Sequence, residues 1–248
     1  MGRLNGKVAL ITGGARGMGA ETGRVFTAEG ATVVLTDVLD DDGHVTASEI
    51  DGASYLHLDV RNETDWQQTV DATMAEHGRI DVLVNNAGVD LVKKLLATTI
   101  EDYERVTGIN LRGTFLGMRT VADAMTKADL SCSMINISSV AGLQGVANHG
   151  VYSASKFGVT GLTKAASKEW GRFGIRVNSI HPGIIETPMT ADLRPFTDAD
   201  TRVRTERTVP LRRLGVANDI ATMALFLASE ESSYCSGQSF IVDGGVHP

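Results

Sequence analysis

In the stretch GVYSASKFG, residues 150 to 158, Tyr152 precedes Lys156 by four positions. That is about one helical turn, so on a helix the two side chains share a face. A phenol with an ordinary pKa of about 10 holds its proton too tightly to act as a base at neutral pH. An ammonium group beside it stabilises the phenolate and lowers that value. The pair can therefore exchange a proton with a bound substrate. A surface helix with an exposed lysine and a half-buried tyrosine has the same spacing, so the rest of the chain must decide.

A second constellation lies near the start. TGGARGMG places Gly13, Gly14, Gly17 and Gly19 after an apolar run and ahead of a helical pattern. A strand, a glycine turn and a helix N-terminus make a phosphate cradle, because glycine lets the backbone approach and the helix end offers free N–H groups. The spacing is G-x-x-x-G-x-G, not the common dinucleotide fingerprint, and a plain turn is the competing explanation. The next apolar run, VVLTD, ends in Asp37. A carboxylate there can accept hydrogen bonds from the adenosine ribose and repel a 2′-phosphate, which favours NAD over NADP. Arg16, inside the glycine loop, argues the other way by pairing with a 2′-phosphate. Asp37 weighs more, since bringing two like charges together out of water costs more than a rim arginine returns.

These groups need a scaffold, and the hydrophobic pattern supplies one. Short runs rich in β-branched residues recur at 7–12, 31–37, 54–60, 80–86, 133–138, 175–180 and 239–245. Such runs suit strands covered on both faces. Between them, 19–30 carries Ala20, Val25 and Ala28 as a helical stripe stopped at Gly30. Residues 63–78 carry Trp66, Val70 and Met74, stopped at Gly78. Longer helices are expected over 104–127 and 151–171. The alternation predicts an α/β fold with a parallel sheet and helices on both faces. The charged stretch at about 187–210 breaks the pattern and reads as a disordered excursion or a lid. In the segment 212–221, Asn218 or Asp219 is a candidate helix cap.

Bulk properties narrow the function classes. The chain has 248 residues, 42% hydrophobic and 21% charged, which is ordinary for a globular protein. A net charge of −7 without a basic block argues against nucleic-acid binding. The opening apolar run is too short to span a membrane and lacks a signal-cleavage pattern, so a cytoplasmic protein is expected. The two cysteines, Cys132 and Cys235, form no C-x-x-C pair, and the six histidines no H-E-x-x-H, so no metal site is read.

Taken in order, TGGARGMG (12–19), LDV (58–60), NNAG (85–88), NLRG (110–113), ISS (137–139), YSASK (152–156), HPGIIETPM (181–189) and DGG (243–245) resemble the short-chain dehydrogenase/reductase family over nearly the whole chain. The resemblance implies one doubly wound, Rossmann-type domain over residues 1–248, with a seven-stranded parallel sheet. It also implies a catalytic set. Tyr152 is the acid/base, and Lys156 supplies charge and holds the nicotinamide ribose. Ser139 bonds the reacting oxygen, the spacing favouring it over its neighbour Ser138. Asn110 keeps a water for proton relay near Lys156. Cofactor contacts are implied at Gly13, Arg16, Gly17, Met18 and Gly19 in the glycine loop, and at Asp37. Asp59 and Val60 would frame the adenine, and Asn86, Ala87 and Gly88 brace the sheet beside the ribose. Pro182, Gly183, Ile185 and Thr187 would meet the nicotinamide.

Substrate contacts are expected from residues after Ser139, from around Asn86–Leu91 and from the 187–210 lid; the candidates Gln144, Val146, His149, Ile184, Met189 and Leu193 are mostly apolar and favour a hydrophobic alcohol or ketone. Within the family, ITGGARGMGAE, LTDVLDDDG and IRVNSIHPGIIETPMT look like the actinobacterial hydroxysteroid dehydrogenases acting at a 3-alpha or 20-beta hydroxyl. That likeness implies NAD dependence and a homotetramer. A 3-oxoacyl-carrier-protein reductase or a small secondary-alcohol dehydrogenase is the runner-up. A regulator that senses dinucleotide without chemistry should lack the tyrosine, lysine or serine, and this chain has all of them. In the family the two long helices pair across a dyad, and Gly113, Gly117, Gly158, Gly161, Ala165 and Ala166 are expected on their outer faces.

Overall fold

The computed structural model describes residues 2–191 and 193–247. All five residues of the first strand, β1 (Val8–Thr12), are buried. A strand buried on both faces needs cover on both sides, and the crossover helices of a parallel sheet provide it. The elements follow as α1 (Gly17–Ala28), β2 (Thr32–Asp37), α2 (Asp40–Ser48), β3 (Ala53–His57), α3 (Glu63–His77), β4 (Val82–Asn85), α4 (Ile100–Thr107), α5 (Thr114–Lys127), β5 (Cys132–Ile137), α6 (Gly150–Trp170) and β6 (Ile175–Pro182). Then come β7 (Ile185–Glu186), α7 (Arg194–Thr197), α8 (Ala199–Thr208), β8 (Gly215–Val216), α9 (Ala217–Ala228) and β9 (Ser239–Val242).

Seven strands form one sheet in the order β3-β2-β1-β4-β5-β6-β9, every pair parallel. Side chains alternate between two cores. Ala9 and Ile11 of β1 and Val82 and Val84 of β4 meet Phe26 of α1 and Ile220 and Ala224 of α9. Leu10 and Leu83 face the other way, onto Trp66 and Val70 of α3 and Val121 and Met125 of α5. The chain leaves β1 toward β2 on one side and reaches β4 on the other. The carboxyl ends of β1 and β4 therefore flank the crevice where open sheets of this kind bind ligands.

Several boundaries differ from the sequence expectation. The third strand ends at His57, not at 60, because β2, its ladder partner, runs out at Asp37 opposite His57. Leu58 to Val60 form a loop. The last strand ends at Val242, since Gly244 and Gly245 take positive φ of 71° and 91°. The buried face of α1 runs through Ala20, Gly23 and Phe26, while Ala28 is exposed. Gly78 does close α3, at φ 72°. The helix expected over 104–127 begins at Ile100 and is interrupted by a π-helical turn at Gly108–Gly113. The stretch 187–210 is largely the helices α7 and α8, closed at its base by a parallel pairing of Ile185 with Gly215 and Glu186 with Val216. Asp192, within it, lies outside the described residues.

Three glycines expected on outer helix faces point inward. A Cβ on Gly113 would lie 2.7 Å from Val60, on Gly117 2.5 Å from Trp66, and on Gly158 2.8 Å from Leu111. Ala166 is buried as well. Gly161 alone of these glycines opens to free space, and Ala165 beside it is exposed. At α9, Asp219 accepts from the Val216 N–H at 2.9 Å, so it reaches back to the helix start. No helix among the described residues is long and apolar enough to cross a membrane.

Candidate active site

The glycine loop is braced from β4. Asn86 donates from Nδ2 to the carbonyls of Thr12 (2.9 Å) and Gly13 (3.0 Å). Thr12 Oγ1 accepts from the N–H groups of Asn86 and Ala87, each at 3.0 Å. Gly13 and Gly17 take φ of 64° and 60°, the left-handed region that favours glycine. A Cβ on Gly13 would sit 2.8 Å from Asn86 Nδ2, and one on Gly19 2.1 Å from the Gly13 carbonyl. The start of α1 has no side-chain cap and no acidic residue in its first turn. Its N–H groups and positive dipole end open onto the crevice.

That crevice is a cleft of about 550 Å³ lined by Gly13, Arg16, Gly17, Met18, Asp37, Asp59, Val60, Asn86, Ala87, Gly88, Thr187 and Met189. At one end the Asp37 carboxylate accepts from the N–H groups of Val38 (2.8 Å), Leu39 (3.3 Å) and Ala15 (3.2 Å). Arg16 is exposed on the rim. Asp59 is held by a two-pronged contact from Arg61, Nε to Oδ1 at 3.0 Å and Nη2 to Oδ2 at 2.6 Å. This pairing keeps the Asp59 carboxyl below its usual pKa. A glycine cradle, an uncapped helix end and a carboxylate at the close of β2 together suit a dinucleotide.

At the other end a recess of about 80 Å³ adjoins the cleft. Ser139, Tyr152, Lys156, Pro182, Gly183 and Ile185 line it, with Met18, Asn86, Gly88, Thr187 and Met189 shared between the two. Tyr152 stands in the first turn of α6 and Lys156 one turn on. The ammonium lies 5.7 Å from the tyrosine ring centre and donates to the Ile137 carbonyl at 2.8 Å. Burial pushes the phenol up to about 12, opposed by its hydrogen bond with Ser139. Burial pushes Lys156 down to about 8, opposed by the charge of Asp90. Among the chain's own groups, then, burial outweighs the expected lowering of the phenol by its lysine neighbour. The two adjacent serines separate cleanly. Ser138 donates to the Lys156 carbonyl at 3.0 Å, within α6, whereas Ser139 Oγ accepts from the Ala141 N–H at 3.1 Å and lowers the pKa of Tyr152.

Asn110 sits in the π-helical turn. Its Oδ1 accepts from Val89 N–H at 2.8 Å, and its Nδ2 donates to the Val89 carbonyl at 2.9 Å and to Ser155 Oγ at 3.1 Å. It clamps the loop after β4, and a Cβ on Gly88 would meet Asn110 Oδ1 at 3.4 Å and Lys156 Nζ at 3.6 Å. Behind Ser139 stands His181, fully buried, which sequence reasoning passed over.

Of the expected substrate contacts, Met189 lines cleft and recess alike. His149 lies against Tyr152, ring centres 6.1 Å apart. Val146 is half-buried on the turn before α6, and Gln144 is exposed there. Ile184 is exposed, and Leu193 is half-buried at the entry to α7. Val89 and Asp90, from the expected 86–91 stretch, and Pro188, from the expected 187–210 lid, also line the cleft; Val38, Leu39, Arg61, Arg105 and Ile109 do so and were not foreseen. Arg61 follows LDV so closely that counting past that motif finds it. Arg105 and Ile109 come from α4 and the π turn, where no local signal marks them.

The sequence profile of a family described as enoyl-(acyl carrier protein) reductase matches residues 13–247. The 3-alpha-(or 20-beta)-hydroxysteroid dehydrogenase of Mycobacterium tuberculosis (strain ATCC 25618 / H37Rv) is 48% identical over 99% of this chain and 91% of its own length. The trans-4-hydroxycyclohexanecarboxylate dehydrogenase of Sinomonas cyclohexanicum is 42% identical, covering 98% and 93%. The cyclopentanol dehydrogenase of Comamonas testosteroni is 42% identical, covering 99% and 98%.

Proposed function

As the chain belongs to the short-chain dehydrogenase/reductase family and is an oxidoreductase of secondary alcohols, we propose that its hydride carrier is NAD and its substrate a hydroxysteroid. The observation that carries the cofactor choice is Asp37 closing β2 at the mouth of the cleft, opposite the uncapped end of α1. The glycine loop and α1 N–H groups would hold the pyrophosphate, Asp37 the adenosine ribose, and Asp59 with Val60 the adenine edge. Lys156 would hold the nicotinamide ribose, with Pro182, Gly183, Ile185 and Thr187 around the ring. The steroid reading rests on the 48% identical relative and on the apolar lining around Met189.

When bound, the nicotinamide accepts or returns the hydride and, oxidised, adds a positive charge to the recess. Tyr152 takes the hydroxyl proton of the alcohol, and in reverse gives it to the forming alkoxide. That added charge and Lys156 together offset the burial that otherwise holds the phenol protonated. Ser139 donates to the reacting oxygen as charge develops on it. Asn110 fixes Gly88 and Val89 against the lysine, which sets the floor of the recess.

A reductase of acyl-carrier-protein substrates is the second reading, favoured by the description of the matching profile. Asp37 and the net charge of −7 weigh against it, since such carriers are acidic. Assembly as a homotetramer is part of the proposal. Phe157, Gly161 and Ala165 form an exposed strip at i, i+4 and i+8 along α6, suited to close helix pairing. The test is formation of reduced nicotinamide from NAD and a 3-alpha- or 20-beta-hydroxysteroid. NADP and Tyr152→Phe serve as controls. Turnover with NAD that vanishes in the variant supports the reading; preference for NADP, or retained turnover in Tyr152→Phe, overturns it.

A further inference from the structure

Beside Tyr152 stands a carboxylate that the proton chemistry does not use. Asp90 lies midway along the loop after β4, lines the cleft and is four-fifths buried, its side chain 20% exposed. Its Oδ1 accepts from the Leu91 N–H at 2.7 Å, and its Oδ2 lies 3.5 Å from His149 Nε2. His149 turns its other nitrogen to the Ala147 carbonyl at 3.2 Å and sets its ring edgewise to Tyr152. The two loops are tied by the Lys93 N–H donating to the Asn148 carbonyl at 2.7 Å. The Lys93 ammonium is engaged by Asp102 of α4, so its salt bridge is not with Asp90. The field of Asp90 reaches the reacting groups, raising the pKa of both Tyr152 and Lys156.

We propose that Asp90 and His149 form a charged wall of the substrate pocket that admits neutral or cationic secondary alcohols and rejects those bearing a carboxylate. The proposal rests on the reading of Tyr152 as the group that meets the substrate hydroxyl. A carboxylate on a ring presented to Tyr152 would approach Asp90 in a partly buried setting, where like charges repel far more than in water. Rejection by an opposed charge is a common route to specificity. The wall is also graded by pH. With His149 protonated the pair is neutral; with His149 neutral it carries a full negative charge. The hydrogen bond with Asp90 raises the His149 pKa, so the change falls above the ordinary histidine value of 6.5. Among the described residues, the Tyr152 phenol stands against His149, the Lys156 ammonium feels the charge of Asp90, and the Lys93 ammonium on the same loop is paired with Asp102.

The test is oxidation of cyclohexanol, trans-4-hydroxycyclohexanecarboxylate and trans-4-aminocyclohexanol by the wild type, Asp90→Asn and His149→Gln. The wild type is expected to disfavour the carboxylate about tenfold in kcat/KM against cyclohexanol, and Asp90→Asn to remove that gap. The discrimination should deepen as pH rises from about 6 to 9, and lose this slope in His149→Gln. A carboxylate-to-cyclohexanol ratio unchanged in Asp90→Asn, or a slope unchanged in His149→Gln, overturns the proposal. A wild type that oxidises no probe and no hydroxysteroid overturns instead the substrate reading on which it rests.

Discussion

His181 donates from Nδ1 to the carbonyl oxygen of Ser139 at 2.8 Å, while its Nε2 accepts from the Ser179 hydroxyl at 2.8 Å. A carbonyl can only accept, so Nδ1 carries a proton, and burial, which lowers the His181 pKa, favours the neutral ring with Nε2 as acceptor. The histidine thereby sets the backbone that carries the Ser139 hydroxyl. Replacing His181 by Phe removes one partner from each group, leaving the Ser139 carbonyl with the Gly142 N–H at 2.9 Å and the Ser179 hydroxyl with the Gln238 carbonyl at 3.4 Å, at a cost of about 0.5–1.5 kcal/mol. The expected kinetic result is a fall in kcat of about tenfold with KM little changed, since the substrate still binds but the donor is misplaced. Steady-state kinetics beside a thermal melt separate the two effects. A KM-only change would show that the histidine does not position Ser139.

The same residue predicts an acid limit to stability. Burial lowers the His181 pKa from 6.5. Above pH 6.5 the residue is neutral in both folded and unfolded chains and contributes no slope. Below 6.5 the unfolded chain binds the proton more readily, so stability falls as pH falls toward the folded value. Melting temperature should therefore decline on acidification from 6.5, and less steeply in His181→Asn. Equal slopes in the two proteins would assign the acid sensitivity to other groups.

For Tyr152, burial and the charge of Asp90, opposed by Ser139, set the phenol at about 12. Alcohol oxidation needs the phenolate, so its rate should climb with pH until the working pKa of the complex is passed. Removing the lysine charge in Lys156→Met should move that inflection upward, because the phenolate loses its neighbouring cation. Tyr152→Phe should cost about 10²–10⁴ in kcat. An inflection that stays in place in Lys156→Met would show that the lysine acts on the cofactor alone.

If the hydride carrier is NAD, as proposed, cofactor choice turns on Asp37 and Arg16, which line the same cleft. Asp37→Ser should raise kcat/KM with NADP by about tenfold or more and lower it with NAD, as a repulsion and a ribose contact both disappear. Arg16→Ala in that background should reverse part of the gain. Parallel assays with the two dinucleotides read both effects. If Asp37→Ser leaves the preference intact, the discrimination lies elsewhere in the cleft.

The central strands were readable from the sequence because each is a short, almost unbroken apolar run of the kind that suits cover on both faces, as the fully buried β1, β4 and β5 show; the edge strands β3 and β9 are only partly buried. Strand ends were less readable. Where β3 stops depends on the length of β2, a fact about a neighbour and not about residues 58–60. Ser139 and Tyr152 were expected together from the family resemblance, and they line one recess. His181 could not be foreseen, because its role depends on β6 lying beside β5, a long-range pairing. Gly117 shows the limit most plainly. On a helix it looks like an invitation to a partner subunit, yet Trp66 fills the space beside it.

The π-helical turn at Gly108–Gly113 makes the active site depend on chain length as well as chain chemistry. A π turn holds one residue more than an α-helix would over the same path. Trimming a single residue there would let α4 and α5 fuse into one regular helix. It would swing Asn110 by roughly 100° about the axis, away from Val89. Side-chain exchanges in this turn are thus a smaller threat than one lost codon. A deletion scan through residues 108–113 should find the recess disabled while the strands remain paired.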